Sequence, residues 1–281
     1  MDEIIHRYKR DLALKGYSEK TCSAYLFYLK DFLKFTDQIG SSPEKEQIKD
    51  YLYYLICERK LSDASIRQAR ASLKVLCTQT FGLQWSSMDL PARKTQKRLP
   101  SFYNFDEVIL ILKSSANLKH KALLTLIYSS GLRLSESVNL KMTDINRKKM
   151  KLLVRQGKGA KDRYTILSDL ALIILEKYYK AYQPQTWLFP GPGRGDKPLS
   201  PRAVQHAFHQ AKLKSGINKE GGVHALRHSF ATHFLESGGG IFQLQKFLGH
   251  KKLKTTLLYA HVVEEKINAI SPLDYFYDNS Q

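Results

Sequence analysis

The stretch from His224 to Tyr259 constrains this chain more than any other. Leu226, Phe230, Phe234 and Leu235 recur at three- and four-residue steps, so 224–236 is predicted to be a helix lying on a core. The run Gly238, Gly239 and Gly240 stops that helix. Ile241, Leu244, Phe247 and Leu248 carry a second short helix up to Gly249. His224 and Arg227 stand three apart on the first helix and project from neighbouring points of one face. His250 and Tyr259 complete the stretch.

A guanidinium, imidazoles and a phenol in one compact helical region fit a phosphodiester. Arg clamps two phosphate oxygens in a fork, His moves protons near neutral pH, and Tyr can attack phosphorus. Each group also has an ordinary reading: a solvated His-x-x-Arg face, or a half-core tyrosine between Leu258 and Ala260. His224, His228 and His233 raise zinc, but the Glu of His-Glu-x-x-His is missing and no Cys lies nearby. Two upstream pieces favour phosphate chemistry. Gly131-Leu132-Arg133-Leu134-Ser135-Glu136 follows an apolar helix, which puts Arg133 at a helix-to-helix corner. Gly157-Lys158-Gly159 lies between Lys151–Arg155 and Arg163–Leu167, two runs that read as a hairpin with Lys158 on its turn.

The ordered set Arg133, Lys158, His224, Arg227, His250 and Tyr259 resembles the tyrosine recombinase (phage integrase, Xer-like) family. The surrounding words match too: His-Ala-Leu-Arg-His-Ser-Phe-Ala-Thr-His, Leu-Gly-His, and Tyr-Ala-His-Val at 259–262. The similarity is close over 102–265 and extends to the whole chain in layout. It implies a two-domain DNA clamp, mainly α with a small β-sheet: an N-terminal four-helix SAM-like core-binding bundle, then a C-terminal α+β catalytic domain.

Composition agrees with a polyanionic partner. The 281 residues carry a formal charge of +19, which points to nucleic acid first and an anionic membrane surface second. No apolar run approaches the ~20 residues that span a bilayer. The start, Met1-Asp2-Glu3, lacks the apolar core of a signal peptide, so a cytosolic location is expected. Cys22, Cys57 and Cys77 are widely spaced and read as reduced, partly buried thiols.

Residues 1–90 read as four helices. Ile4, Ile5, Tyr8 and Leu12 mark the first; Ser18 caps the second; Ser42-Pro43 opens the third. Ser62 opens the fourth, and Gly82 closes it. Lys20, Lys30, Arg67, Arg70 and Lys74 lie on the outer face, where the resemblance implies DNA contact. Residues 91–101, with Arg93, Lys94, Lys97 and Arg98 and no acidic residue, read as a basic linker passing over phosphates. The catalytic domain is expected over 102–281. Asn104 with Glu107 resembles a capping box. Helices at 119–130 and 134–140, the hairpin at 150–167, and helices from Ser168 to Tyr182 and from Ser200-Pro201 to Lys214 follow. The glycines at 191, 193 and 195 do not form a nucleotide loop, because the Gly-Lys-Ser/Thr ending is absent.

The resemblance implies Tyr259 as nucleophile, His224 as base, and Arg133, Arg227 and His250 holding the phosphate. Lys158 would be the general acid, with no metal or ATP. Two protomers would bind inverted half-sites and pair into a tetramer exchanging strands through a four-way junction. The apolar tail from about 262 would dock on a neighbouring protomer. Three other readings share parts of this pattern: a type IB topoisomerase, a catalytically silent DNA-binding accessory protein, and a metal-dependent nuclease.

Overall fold

The computed structural model describes residues 2–37, 42–88, 101–155, 162–193 and 196–263, with side chains to 260. Two compact units partition the chain, Met1–Lys97 and Arg98–Gln281. Lys158, the linker residues Arg93, Lys94, Lys97 and Arg98, and the tail beyond 263 lie outside the described residues.

The first unit holds α1 (Asp2–Leu14), α2 (Glu19–Phe35), α3 (Lys45–Tyr53) and α4 (Asp63–Val75). Ile4, Tyr8 and Leu12, one turn apart on α1, are all buried, as are Tyr28, Leu29, Phe32 and Leu33 on α2. The buried Tyr8 hydroxyl donates to the Ser72 carbonyl at 3.0 Å, so its polar tip is satisfied inside the apolar core. Ser18 and Ser62 accept from the backbone N–H of Thr21 and Ser65, as N-caps do. The third helix differs from expectation. It starts at Lys45, after Ser42-Pro43, with the Glu44 N–H donating to Gln47 Oε1 at 3.0 Å. A reciprocal cap thus replaces the proline start. Both α3 and α4 run on into π-helical turns, Tyr54–Glu58 and Leu76–Thr80. The wider turn re-phases the apolar face so that Leu55, Leu76 and Cys77 stay buried, which a 3.6-residue pattern does not reveal. Lys20, Lys30, Arg67 and Lys74 are exposed and Arg70 is half-buried. Cys57 is exposed, unlike the buried Cys77, whose thiol burial pushes up to about 11.

The second unit contains α5 (Phe105–Ser114), α6 (Leu118–Ser130), α7 (Leu134–Val138), β1 (Ile145–Asn146), β2 (Lys151–Val154) and β3 (Arg163–Ile166). It continues with α8 (Asp169–Tyr182), α9 (Pro201–Lys214), α10 (His224–Glu236), α11 (Ile241–Leu248) and α12 (Leu253–Val263). The cap of α5 is reciprocal: Asn104 N–H donates to Glu107 Oε2 at 2.7 Å, and Glu107 N–H to Asn104 Oδ1 at 2.8 Å. Helix α6 is the hub, buried from Ala122 through Ile127 and packed against α8 and α10. Such a helix has apolar residues on every side, as a fully buried element requires. The antiparallel sheet has order β1-β2-β3, with Leu153 opposite Tyr164. Sequence periodicity predicts the β2–β3 hairpin but not β1, which is too short to show alternation. Helix α7 is shorter than the 134–140 expected. Strand β3 packs on α11 and α6, which ties the hairpin to the helices that carry the polar site.

Candidate active site

The site begins at the corner between α6 and α7. Gly131 ends α6 with φ +60°, and a Cβ there would sit 2.4 Å from Phe230 Cδ1 on α10. Glycine is required both by the left-handed turn and by this close packing. The corner delivers Arg133, whose backbone N–H donates to Glu136 Oε2 at 2.8 Å and whose Nη1 donates to Oε1 at 2.6 Å. From β3, Arg163 donates through Nη1 and Nη2 to the same carboxylate at 2.9 and 2.7 Å. Arg227 Nη1 lies 3.7 Å from it. Burial alone would raise the Glu136 pKa; hydrogen bonds and charge from Arg163, with Arg133, overcome that and bring it to about 2. One buried anion therefore balances guanidinium groups from three separate segments.

Arg227 is buried on α10. Its Nη1 donates to the Gly131 carbonyl at 2.6 Å, and its Nη2 to the Leu248 carbonyl at 2.8 Å and to His250 Nε2 at 3.1 Å. A guanidinium has about five N–H groups, so these bonds leave donors for a phosphate. Burial and the neighbouring Arg133 charge lower the Arg227 pKa to about 9, which still leaves it charged at neutral pH. Because guanidinium can only donate, His250 Nε2 must accept, and its proton sits on Nδ1, which faces Thr256 Oγ1 at 3.0 Å. Burial, Arg227, Arg133 and Arg163 hold His250 neutral, with a pKa of about 4. In this arrangement His250 orients Arg227 instead of presenting a free N–H to a ligand. Gly249, at φ +62°, brings the α11 end against β3: the Arg163 Nε donates to the Phe247 carbonyl at 2.8 Å.

Tyr259 comes from α12 and is only 5% exposed. Its ring lies parallel to His250, 9° apart with centroids at 6.4 Å. Its hydroxyl is 2.8 Å from Nδ1 of His228. Burial raises the phenol pKa while the charges of Arg227 and Arg133 pull it down, with burial prevailing. The net result is a protonated phenol held in a cationic field. His228 is neutral, its pKa lowered to about 4 by burial, Arg227 and His224.

The structure brings Arg133, Arg227, His250 and Tyr259 of one chain together. His224, at the start of α10, has no hydrogen-bond partner among the described residues but lies in the same field: burial, Arg227 and Arg133 lower its pKa. His228, one turn on, meets the phenol. Arg227, three positions from His224, is buried, so the pair is no solvated face. Residue-by-residue reading missed Glu136, Arg163, His228 and Thr256 as parts of the site. Glu136 had a signal, since it stands three after Arg133 where a helix-start carboxylate caps. Arg163 had none beyond its place at the start of a strand. Among the described residues, no group of three or more His, Cys, Asp or Glu could hold a metal ion, and no helix is long and apolar enough to cross a membrane.

Comparison with known proteins matches the sequence to a family. The pattern described as the phage integrase family covers residues 93–266, and that of the phage integrase N-terminal SAM-like domain covers 4–87. An integrase/recombinase of Sinorhizobium fredii is 38% identical over 275 residues, 96% of this chain and 88% of that protein. Tyrosine recombinase XerA of Pyrococcus horikoshii is 36% identical over 270 residues, 94% of this chain and 91% of its own. The fold is similar to that of lambda integrase residues 75–356, solved as a dimer bound to a core site, with TM-score 0.76, 21% identity and coverage of 97% of this chain and 99% of that one. The chain belongs to the phage integrase family, and its function is site-specific DNA recombination of the tyrosine recombinase type.

Proposed function

We propose that Tyr259 Oη attacks a DNA backbone phosphorus and forms a 3′-phosphotyrosyl protein with a free 5′-hydroxyl end. The observation that carries this reading is the stacking of Tyr259 on His250, the imidazole that meets Arg227 Nη2 at 3.1 Å, so that phenol and guanidinium share one cluster within one chain. A phenol of pKa near 10 is about one part in a thousand ionised at pH 7, so its proton must leave as attack proceeds, and His224, its pKa lowered by burial and Arg227, is assigned as the base that takes it. Arg133 and Arg227 match the charge that grows on the phosphorus oxygens, where a fixed donor stabilises the transition state by several kcal/mol. His250 holds Arg227 in that aim. Lys158 is assigned the proton for the departing 5′ oxygen. Because the phosphotyrosyl bond retains the energy of the broken phosphodiester, resealing needs neither ATP nor metal.

The chain acts in the cytosol on duplex half-sites, with Arg70, Lys74, Arg93, Lys94, Lys97 and Arg98 placed on the DNA backbone. Phosphate contacts of this kind position a protein without reading sequence. Four protomers assemble around a four-way junction, and the tail, apolar at Ile267, Ile270, Leu273 and Phe276, docks on a neighbour. Deleting 268–281 should abolish DNA-dependent oligomers; unchanged oligomers would remove the docking role.

The test is covalent trapping. Incubating the full chain with a pool of randomised duplexes nicked near their centres, in chelator and without nucleotide, should yield a protein–DNA adduct whose DNA can be sequenced. Tyr259→Phe should bind the recovered duplex normally and give no adduct. An adduct from Tyr259→Phe moves the nucleophile elsewhere. Relaxation of supercoiled plasmid without paired sites would favour a topoisomerase.

A further inference from the structure

The side chain of His224, assigned above as the base, makes no hydrogen bond among the described residues, and α10 begins at it without a side-chain cap. Whatever aims this imidazole must therefore act through the backbone. We propose that Tyr103 is the positioning residue for His224, holding the chain on either side of it. The proposal rests on the phosphotyrosyl reading and names what fixes its base.

Upstream, the buried Tyr103 hydroxyl donates to the Gly221 carbonyl at 2.9 Å, three residues before His224. Gly221 takes φ +148°, and a Cβ there would lie 2.8 Å from Tyr103 Oη, so glycine is what lets the two approach this closely. Tight turns carry the constraint forward: Ala225 N–H donates to the Gly222 carbonyl at 2.8 Å, and Leu226 N–H to that of Val223 at 3.2 Å. With no side-chain cap, the first N–H groups of α10 depend on this turn. Downstream, Tyr103 N–H donates to Ser229 Oγ at 2.8 Å, and that hydroxyl donates to the Ala225 carbonyl at 2.9 Å. One residue thus grips the chain before His224 and, through Ser229, immediately after it.

Neighbouring contacts brace the grip. Ser101 Oγ donates to the Glu220 carbonyl at 2.6 Å, and the Lys219 ammonium sits over the Phe102 ring, 5.3 Å from its centroid. Burial, with the Glu107 charge, pushes the Tyr103 phenol up to about 12, so it keeps its proton and remains a donor at neutral pH. Its hydroxyl is engaged with Gly221, so Tyr103 places the base and takes no part in the proton transfer itself.

The experiment is a double-mutant cycle on the full chain, with adduct formation measured on the nicked duplex recovered by wild-type trapping. Tyr103→Phe removes only the hydroxyl. It should bind this duplex as wild type does and lose between about 10- and 10²-fold in rate, the scale of a reacting group set slightly out of place. In a His224→Ala background the same change should cost less than about threefold, because the group it positions is gone. A general role in stability predicts the same loss in both backgrounds. Histidine ring NMR of the DNA-free protein reads the link whatever the residual rate. The His224 resonance, assigned by its loss in His224→Ala, should move in Tyr103→Phe while those of His6 and His120 stay. If Tyr103→Phe does not fold, Ser229→Ala cuts the downstream link and should give the same pattern. A Tyr103→Phe rate within about threefold of wild type, a loss as large without His224 as with it, or an unmoved His224 resonance would overturn the proposal. So would a His224→Ala as fast as wild type, which leaves no base to position. If wild type forms no adduct with any duplex in the pool, the phosphotyrosyl reading itself falls. An active wild type whose Tyr103→Phe loss ignores His224 removes only the positioning role.

Discussion

Replacing Glu136 with Gln removes the one anion that Arg133, Arg163 and Arg227 share, and keeps the shape. The drop of the carboxyl from its ordinary 4.5 to about 2 in the folded chain corresponds to about 3 kcal/mol of stabilisation. That agrees with the roughly 3–5 kcal/mol lost when one partner of a buried pair is removed. The Glu136 side chain is 5% exposed and Arg163 11%, so solvent screens this pair little. For a unit of this size, a loss of that magnitude lowers Tm by about 10 °C. The sign with pH follows from the lowered pKa. Glu136 stabilises fully above 4.5, and the contribution disappears as pH falls toward 2. Scanning calorimetry of full-length wild type and Glu136→Gln should therefore show a constant gap from about pH 8 to 5 that narrows on further acidification. Cleavage should fall along with Tm, because Arg133 and Arg227 lose their common anchor. A gap under about 2 °C at pH 7, or one that widens in acid, would refute the reasoning.

Other substitutions test the frame from different sides. Arg133→Lys keeps the charge but loses the fork, so trapping assays should show cleavage down by about 10²–10³-fold, with duplex affinity in gel shifts retained. Gly249→Ala forces a Cβ into a left-handed turn at φ +62°, 2.8 Å from Arg163 Cδ. It should cost about 1–2 kcal/mol in denaturant unfolding for the backbone alone, and more where Arg163 is pushed off Glu136.

Much of the second unit is legible from spacing and caps. Asn104 with Glu107, Ser168 and Ser200-Pro201 each mark a helix start that the structure reproduces, because a cap is a local hydrogen bond between near neighbours. Arg133, Arg227, His250 and Tyr259 are legible because each lies in its own recognisable short word. Arg163 is not, since its meaning depends on Glu136 and Phe247, which only the folded chain brings beside it. That His228 meets the phenol, and His224 does not, has a similar cause. Both histidines share one helix, and it is the placement of α12 that decides which meets the phenol. The π-helical turns after α3 and α4 were hidden because they interrupt the very repeat used to find helices.

The scattered origin of the site has a safety consequence. The forks, their anion, the imidazoles and the phenol belong to α7, β3, α10, the loop after α11, and α12, so no short segment holds enough to cut DNA. On the proposed chemistry a nascent chain cannot cleave until α12 has emerged and docked. A molecule that frays at any one of these elements would lose the power to break a duplex before it could leave one unsealed.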